Sequence, residues 1–467
     1  MAFDCAIIGA GPAGMSAAIS LSAAGADTIV LDRAPRAGGQ IYRSVADSPL
    51  ADVSLLGEEY LQGAALIEAY ENSGATHMAD ADVWHIGSDG TILFSRDGET
   101  HQIQTREILI CPGAMERPMP IPGWTLPGVM TAGSAQVMLK SDAVTAENAV
   151  FAGSGPLLYL IVAQYLRLGV KVAGLVDTTP LANYRSAMHL GPSALRSWPM
   201  LHKGLSLLRE IRASGIPFYR NARELRILGD QRAEGLSFHS NGRRDIRSDT
   251  VFLHHGVIPQ TNITRALGLD HVWSDIQKCW HVKSNAWGQS SSPHISVAGD
   301  GARISGAEAA QSSGRVAAAN ILTRLGRINL QDRDQQCRLD HAFLAKQAPF
   351  RRFIDTLYNP APALSLPEDP DTLVCRCEEQ SVQNLRDGFD KGAANPNALK
   401  SLTRCGMGPC QGRQCGPIVT GLLAKWRGIS EADVGYYRLR SPQRLLNLKE
   451  FSRFHALSAQ SDKEAAE

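Results

Sequence analysis

This chain of 467 residues contains no run of about 18 apolar residues, so no membrane-crossing helix is expected. Neither charge dominates. Forty-seven lysines and arginines stand against 46 aspartates and glutamates, a net +1. That balance asks for neither nucleic acid nor an anionic membrane as partner. The opening Met1-Ala2-Phe3-Asp4 has no basic stretch and runs directly into a strand pattern, so no secretory signal peptide is expected. A disulfide framework is missing too. There are nine cysteines, an odd number, and five crowd between 375 and 415. Such clustering favours a metal or redox centre in a reducing compartment, with the cytoplasm expected. What remains is a globular composition, 44% apolar and 20% charged, which excludes collagen-like and disordered chains. The length allows about three ordinary domains.

Glycine is abundant, 43 residues, and clustered. Asp4-Cys5-Ala6-Ile7-Ile8 reads as a buried parallel strand. Gly9-Ala10-Gly11-Pro12-Ala13-Gly14 follows, then a small-residue helix from about Ala13 to Ala24, and a second strand, Thr28–Leu31, ending at Asp32. In this βαβ context each glycine has a task. Gly9 permits the tight turn, Gly11 lets a pyrophosphate approach the backbone, and Gly14 lets helix and strand pack closely; the helix N-terminus attracts the phosphates. Asp32 can accept hydrogen bonds from ribose hydroxyls. A second glycine pair lies in Gly38-Gly39-Gln40-Ile41-Tyr42-Arg43. Much later, the strand Ile295–Ala298 leads through Gly299-Asp300-Gly301 into a helix over Ala307–Leu322, and Asp300 is placed to hold ribityl hydroxyls. Three distant elements converging on one long ligand suit FAD better than NAD. The cofactor-binding candidates are Gly9, Gly11, Pro12, Ala13, Gly14, Asp32, Arg33, Gly39, Gln40, Arg43, Gly113, Gly299, Asp300 and Ala309. Between these elements, 76–110 alternates short β runs with turns and reads as a β-excursion returning to a core strand.

A second strand–glycine–helix unit runs from Ala149 through Gly153-Ser154-Gly155-Pro156 into a helix over Leu157–Leu168, then a strand ending at Asp177. Leu158 replaces the third glycine and should push the helix off the strand or fill part of the site. Gly153, Gly155, Pro156 and Asp177 are the candidates for a second nucleotide. NADH, a structural adenine nucleotide and an empty site all stay open. A dithiol mechanism beside the first site is excluded, because 38–45 has no cysteine and the inserted segment only Cys279. Cys5, Cys111, Cys279 and Cys337 read as isolated thiols, and His254-His255 as structural.

The stretch 323–370 is polar, then proline-rich, and reads as a linker. Beyond it, Cys375-Arg376-Cys377 is followed by Cys405-Gly-Met-Gly-Pro-Cys410 and then Cys415. Two close thiolate pairs are what an iron–sulfur cluster or a structural zinc requires, and the first pair is tight for a zinc knuckle. An iron–sulfur centre, most simply 2Fe–2S, is expected on Cys375, Cys377, Cys405 and Cys410, with Cys415 able to replace Cys405. The tail is basic, then polar and mobile at its end.

Over residues 1–330 the pieces Gly9-x-Gly11-x-x-Gly14, Gly38-Gly39-Gln40, Cys111-Pro112-Gly113-Ala114 and Val297-Ala298-Gly299-Asp300-Gly301 resemble the two-dinucleotide-domain flavoproteins of the thioredoxin- and glutathione-reductase superfamily. The cysteine pattern resembles the small helical 2Fe–2S domain of bacterioferritin-associated ferredoxin. The two together look like the α or A subunits of multi-subunit amine dehydrogenases, such as those of opine oxidase, D-hydroxyproline dehydrogenase and hydrogen cyanide synthase. Sarcosine oxidase α subunits look like relatives. The resemblance implies an α/β fold with two Rossmann-like domains and a small helical iron–sulfur domain. FAD would bind 1–144 and 285–330, and a nucleotide-type domain would be inserted at 145–284. A linker over 331–370, a 2Fe–2S domain over 371–425 and a tail over 426–467 complete the division. It also implies a D-amino-acid-oxidase-like β subunit with its own FAD, a small ferredoxin-like γ subunit, FMN at a subunit contact in some members, and a quinone or other electron acceptor. Such a chain would be cytoplasmic or peripheral at the inner membrane. No residue stands out as an amine-oxidising base, so the catalytic residue stays unknown. A self-contained NADH-dependent reductase and a static scaffold subunit are the competing readings.

Overall fold

The computed structural model describes residues 2–453. The first unit is built on a seven-stranded sheet. Its parallel part runs in the order Thr76–Met78, Thr28–Leu31, Ala2–Ile8, Glu99–Ile110, with Ile295–Val297 also on Glu99–Ile110. Ile8 lies opposite both Leu31 and Ile110, and Ile110 opposite Val297. Chain segments nearly 300 residues apart therefore end side by side. The β-excursion is antiparallel, with Thr91–Arg96 on Glu99–Ile110 and Asp82–Ile86 on Thr91–Arg96.

Small side chains set the packing above this sheet. The helix Pro12–Ala23 lies against the helix Ala307–Arg324. A Cβ on Gly314 would come within 2.2 Å of the Ala13 carbonyl oxygen, and one on Gly299 within 2.8 Å of the Ala13 Cβ. Arg324 then crosses to the sheet, where its Nε and Nη2 donate to the buried Glu107 carboxylate at 3.0 and 2.6 Å.

The second unit holds a five-stranded sheet in the order Phe218–Tyr219, Val172–Asp177, Ala149–Ser154, Val251–His255, Val129–Thr131, parallel throughout. A ribbon of Ala114–Glu116 with Val257–Pro259 joins the units. One apolar cluster runs from Ile7 and Leu109 across to Phe151 and Phe252, so the units share a core.

Three sequence expectations shift. The inserted unit, expected at 145–284, takes its edge strand Val129–Thr131 from before that boundary. At its other end, Leu269 and Val282 pack into the core of the first sheet. The linker expected over 331–370 is largely the helix Leu330–Leu357, capped by Asn329 and containing Pro349. Its polarity has a physical cause. The helix lies on the surface against Ala307–Arg324 and Leu181–Met188, and of its residues only Cys337 and Phe350 are buried. The tail also docks. Arg444 pairs with Asp82 at 3.2 Å, the Gln443 N–H donates to the Trp84 carbonyl at 3.0 Å, and Thr100 Oγ1 donates to the Glu450 carbonyl at 2.7 Å. The mobile polar end expected after it, 454–467, lies outside the described residues.

Residues 371–439 form a compact group of helices, Val382–Asp390, Pro396–Thr403 and Cys415–Arg427, with a hairpin of Leu373–Cys375 and Gln380–Ser381. No helix among the described residues is long and apolar enough to cross a membrane.

Candidate functional site

The first glycine turn is built so that no side chain can enter it. Gly9 adopts φ +107°, and a Cβ there would sit 2.3 Å from the Cys111 carbonyl oxygen. A Cβ on Gly14 would meet the Gly9 oxygen at 1.9 Å. The helix opening at Pro12 has no side-chain cap and no acidic residue in its first turn, which leaves its N-terminal dipole and N–H groups to an anion. The second glycine pair closes on the first. Gly38 N donates to the Ala10 oxygen at 2.9 Å, and a Cβ on Gly39 would lie 3.0 Å from the Gly11 Cα. The third element arrives through Gly299, against Ala13, and Gly301, whose Cβ would strike Pro112 beside Gly113. Gly9, Gly11, Ala13, Gly14, Gly39, Gly113 and Gly299 thus line one cradle.

The polar candidates divide. Asp32 accepts from the N–H groups of Ala10 and, at 2.6 Å, Ala34. Asp300 Oδ1 accepts from Ser305 N at 2.7 Å and Gly306 N at 3.0 Å. Both carboxylates therefore order loops at the cradle's rim and keep lone pairs for hydroxyl donors. Arg33 points away, into an exposed ion pair with Asp82 at 3.6 Å, and Gln40 is exposed. Arg43 Nε is buried with no hydrogen-bond partner. A glycine cradle at an uncapped helix terminus, with an orphaned guanidinium N–H in the loop that closes on it, fits an FAD.

Lys140 was not singled out in the sequence. It is 2% exposed, and its Nζ donates to the Ile41 carbonyl at 2.7 Å. Burial, helped by Arg43, pushes its ammonium down to about 7. It clamps the Gly38–Arg43 loop from a helix a hundred residues away, a distance at which no local pattern signals it.

The second glycine turn differs. Gly153 and Gly155 keep positive φ, and Leu158 is fully buried in the shared core. Asp177, expected to meet a ribose, is 1% exposed. Its carboxylate accepts from Tyr159 Oη at 2.9 Å and Thr179 N at 2.8 Å. Tyr358, just past the helix Leu330–Leu357, covers Tyr159 at 6.1 Å between ring centres. Burial raises the Asp177 carboxyl, and its hydrogen bonds from Thr179 and Tyr159 offset that. His254 Nδ1 pairs with Glu116 Oε1 at 2.6 Å, and Glu116 Oε2 accepts from Gly133 N at 2.8 Å. This pair pins the connecting ribbon to the second sheet.

The cysteine segment brings three thiols together. The Sγ atoms of Cys375, Cys405 and Cys415 lie within 4.8 Å of one another, all buried. Cys375 ends a hairpin strand, Cys405 follows a left-handed turn at Arg404 with φ +61°, and Cys415 opens a helix. Cys377 is exposed and faces the half-buried Cys410. A Cβ on the intervening Gly408 would lie 2.2 Å from the Cys377 Cβ. Of the four expected ligands, two are in the buried trio, two form an outer pair, and Cys415 completes the trio. Hydrogen bonding from Cys405 and Cys415 holds the Cys375 thiol well below its ordinary value and pushes its two neighbours up. Convergent thiols of this kind suit a soft metal.

Polar contacts join this group to the cradle. Gln260 N donates to the Gly113 oxygen at 3.0 Å, and Asn262 Nδ2, two residues on, donates to the Gln411 carbonyl at 3.1 Å. Trp124 Nε1 donates to the Leu373 carbonyl at 2.7 Å, and Arg265 stacks 4.1 Å over the Tyr436 ring.

Residues 3–314 match the pyridine nucleotide-disulphide oxidoreductase family. Among opine oxidase A subunits, one from Rhizobium meliloti is 41% identical over 460 residues, covering 96% of this chain and 87% of that one. Hydrogen cyanide synthase subunit HcnB of Pseudomonas protegens is 32% identical, covering 95% and 96%. Among solved structures, L-proline dehydrogenase from P. horikoshii has the same fold over 96% of this chain and 79% of that one, with a TM-score of 0.71 at 17% identity.

Proposed function

This chain belongs to the pyridine nucleotide-disulphide oxidoreductase family, among the FAD-dependent proteins related to opine oxidase A subunits, and from that premise we propose that it is the electron-transfer subunit of an amine dehydrogenase of opine or D-hydroxyproline type. The observation that carries this reading is the buried trio Cys375, Cys405 and Cys415, tied through Asn262 and Gln260 to the loop at Gly113. A bound FAD accepts electrons in a pair and releases them singly, and a 2Fe–2S centre carries one at a time.

The residues have separable tasks. Gly9, Gly11, Gly39 and the helix N-terminus at Pro12 would hold the pyrophosphate, and Gly14 lets that helix sit close against its strand. Asp32 and Asp300 would receive ribose and ribityl hydroxyls, Lys140 orders the Gly38–Arg43 loop, and the unpartnered Arg43 Nε would be left to the cofactor. Cys375, Cys405 and Cys415, with Cys410 or Cys377 as fourth ligand, hold the cluster. Amine oxidation falls to an FAD-containing partner resembling D-amino-acid oxidases, a division of labour that the similarity to proteins named as A subunits supports. On this reading a small ferredoxin-like subunit and FMN at the subunit contact would complete the assembly. Electrons leave to a quinone or another acceptor.

The NADH-reductase reading requires a ribose to reach Asp177, which is 1% exposed and lies under the buried Tyr159, so it is disfavoured. The test is a stopped-flow mixing of the purified, flavin-loaded chain with NADH, beside assay of iron, sulfide and co-purifying subunits. Slow or absent bleaching, with iron and a flavoprotein partner present, is expected. Prompt bleaching by NADH would move the assignment to a self-contained reductase. Redox-silent centres would move it to a scaffold. Glycine as the amine oxidised by the assembly would move it to cyanide synthesis.

A further inference from the structure

Tyr437 belongs to none of the motifs that marked the cysteine segment. It reaches that segment from the tail, 22 residues beyond Cys415. Its hydroxyl lies 3.5 Å from the Cys405 Sγ and 3.8 Å from the Cys415 Sγ. The ring is seated between two glycines, since a Cβ on Gly406 or Gly412 would come within 2.8 Å of it. The residue is 3% exposed. A buried phenol needs a partner, and this one is given two sulfurs. A tyrosine hydroxyl can donate one hydrogen bond, and its geometry here aims it at those two sulfurs.

Resting on the thiolate-held centre proposed above, we infer that Tyr437 is a positioning residue that donates its O–H to the metal-bound sulfurs of Cys405 and Cys415 and raises the reduction potential of the centre. A hydrogen bond to a ligand sulfur withdraws negative charge from it. The reduced centre carries one more negative charge than the oxidised one, so the bond favours reduction. The same seat explains why the buried trio includes Cys415. The phenol spans its sulfur and that of Cys405, while Cys377 lies outside its reach at the surface.

The test uses the full chain, loaded anaerobically with FAD, iron and sulfide, as wild type and as Tyr437→Phe. The ring carbons that Gly406 and Gly412 accommodate are retained, so iron content and flavin content should match the wild type. A redox titration followed by visible absorbance and low-temperature EPR should show the centre harder to reduce. At a fixed potential the reduced-to-oxidised ratio should fall about tenfold, equivalent to about 59 mV for one electron. On the wild type alone, transfer from H2O to D2O should shift the Fe–S stretching bands in resonance Raman spectra, and Tyr437→Phe should abolish that shift. An iron-loaded variant with unchanged potential and an unchanged isotope response would overturn the inference and leave the centre intact. A wild type that takes up no iron would overturn the centre and the inference together.

Discussion

At Gly14 the space for a methyl group is already taken by a carbonyl oxygen 1.9 Å away. Gly14→Ala must push the helix off its strand, at a cost of about 1–3 kcal/mol. The chain should then purify with most of its flavin lost, which the ratio of visible to ultraviolet absorbance measures. Residues of this kind are legible in sequence, because strand, turn and helix are contiguous and the steric demand is local. Lys140 and Tyr437 are not, since each meets its partners only through the tertiary fold. The cysteines fall between these cases. Their spacing announces a cluster of thiols, yet left-handed turns at Arg404 and Gln411, φ +61° and +51°, lie among them, and nothing in the spacing reports which sulfurs turn inward.

Elements carry a different kind of vulnerability. Arg324 of the helix Ala307–Arg324 meets Glu107, whose side chain is 5% exposed. Arg324→Met strands that carboxylate and should cost about 3–5 kcal/mol in chemical denaturation, whereas Arg324→Met with Glu107→Leu should recover most of the loss. The strand Val251–His255 brings a pH effect. Burial, followed by Arg117 and His254, pushes the His255 imidazole down to about 3, and burial brings His271 and His281 to about 4. Unfolded histidines titrate near 6.5. Below that pH the unfolded chain binds protons that the native chain refuses, so stability falls as pH drops from about 6.5 toward 4 and is fully present above that range. Each such imidazole adds about 1.4 kcal/mol per pH unit. His255→Phe should flatten the dependence of the urea midpoint on pH between 6.5 and 4.5; an unchanged slope would remove His255 from the account. At this scale the sequence discloses strands and glycine-turn helices through their periodicity. It hides the helix Leu330–Leu357, whose narrow buried face and internal Pro349 leave a polar, linker-like composition.

Across the whole molecule the tail acts as a strap. Deleting 440–467 removes the contacts of Arg444, Glu450 and Arg453 with Asp82, Thr100 and Glu99. Both Rossmann-like sheets and the flavin should survive. The melting temperature should fall by a few degrees, and amide exchange should accelerate over Asp82–Arg96 rather than over Ala149–Asp177. The two Rossmann-like units could be read from the glycine clusters. Where one unit ends could not, because Val129–Thr131 joins a sheet whose other strands come later. The joint made by Trp124, Asn262 and Arg265 with Leu373, Gln411 and Tyr436 has a kinetic corollary. Under the proposed function, a flavin and a cluster held by these joined units need no swinging arm, so internal transfer would be governed by separation and driving force alone. Thickening the solvent with glycerol should slow the arrival of outside reactants and leave that inner step untouched.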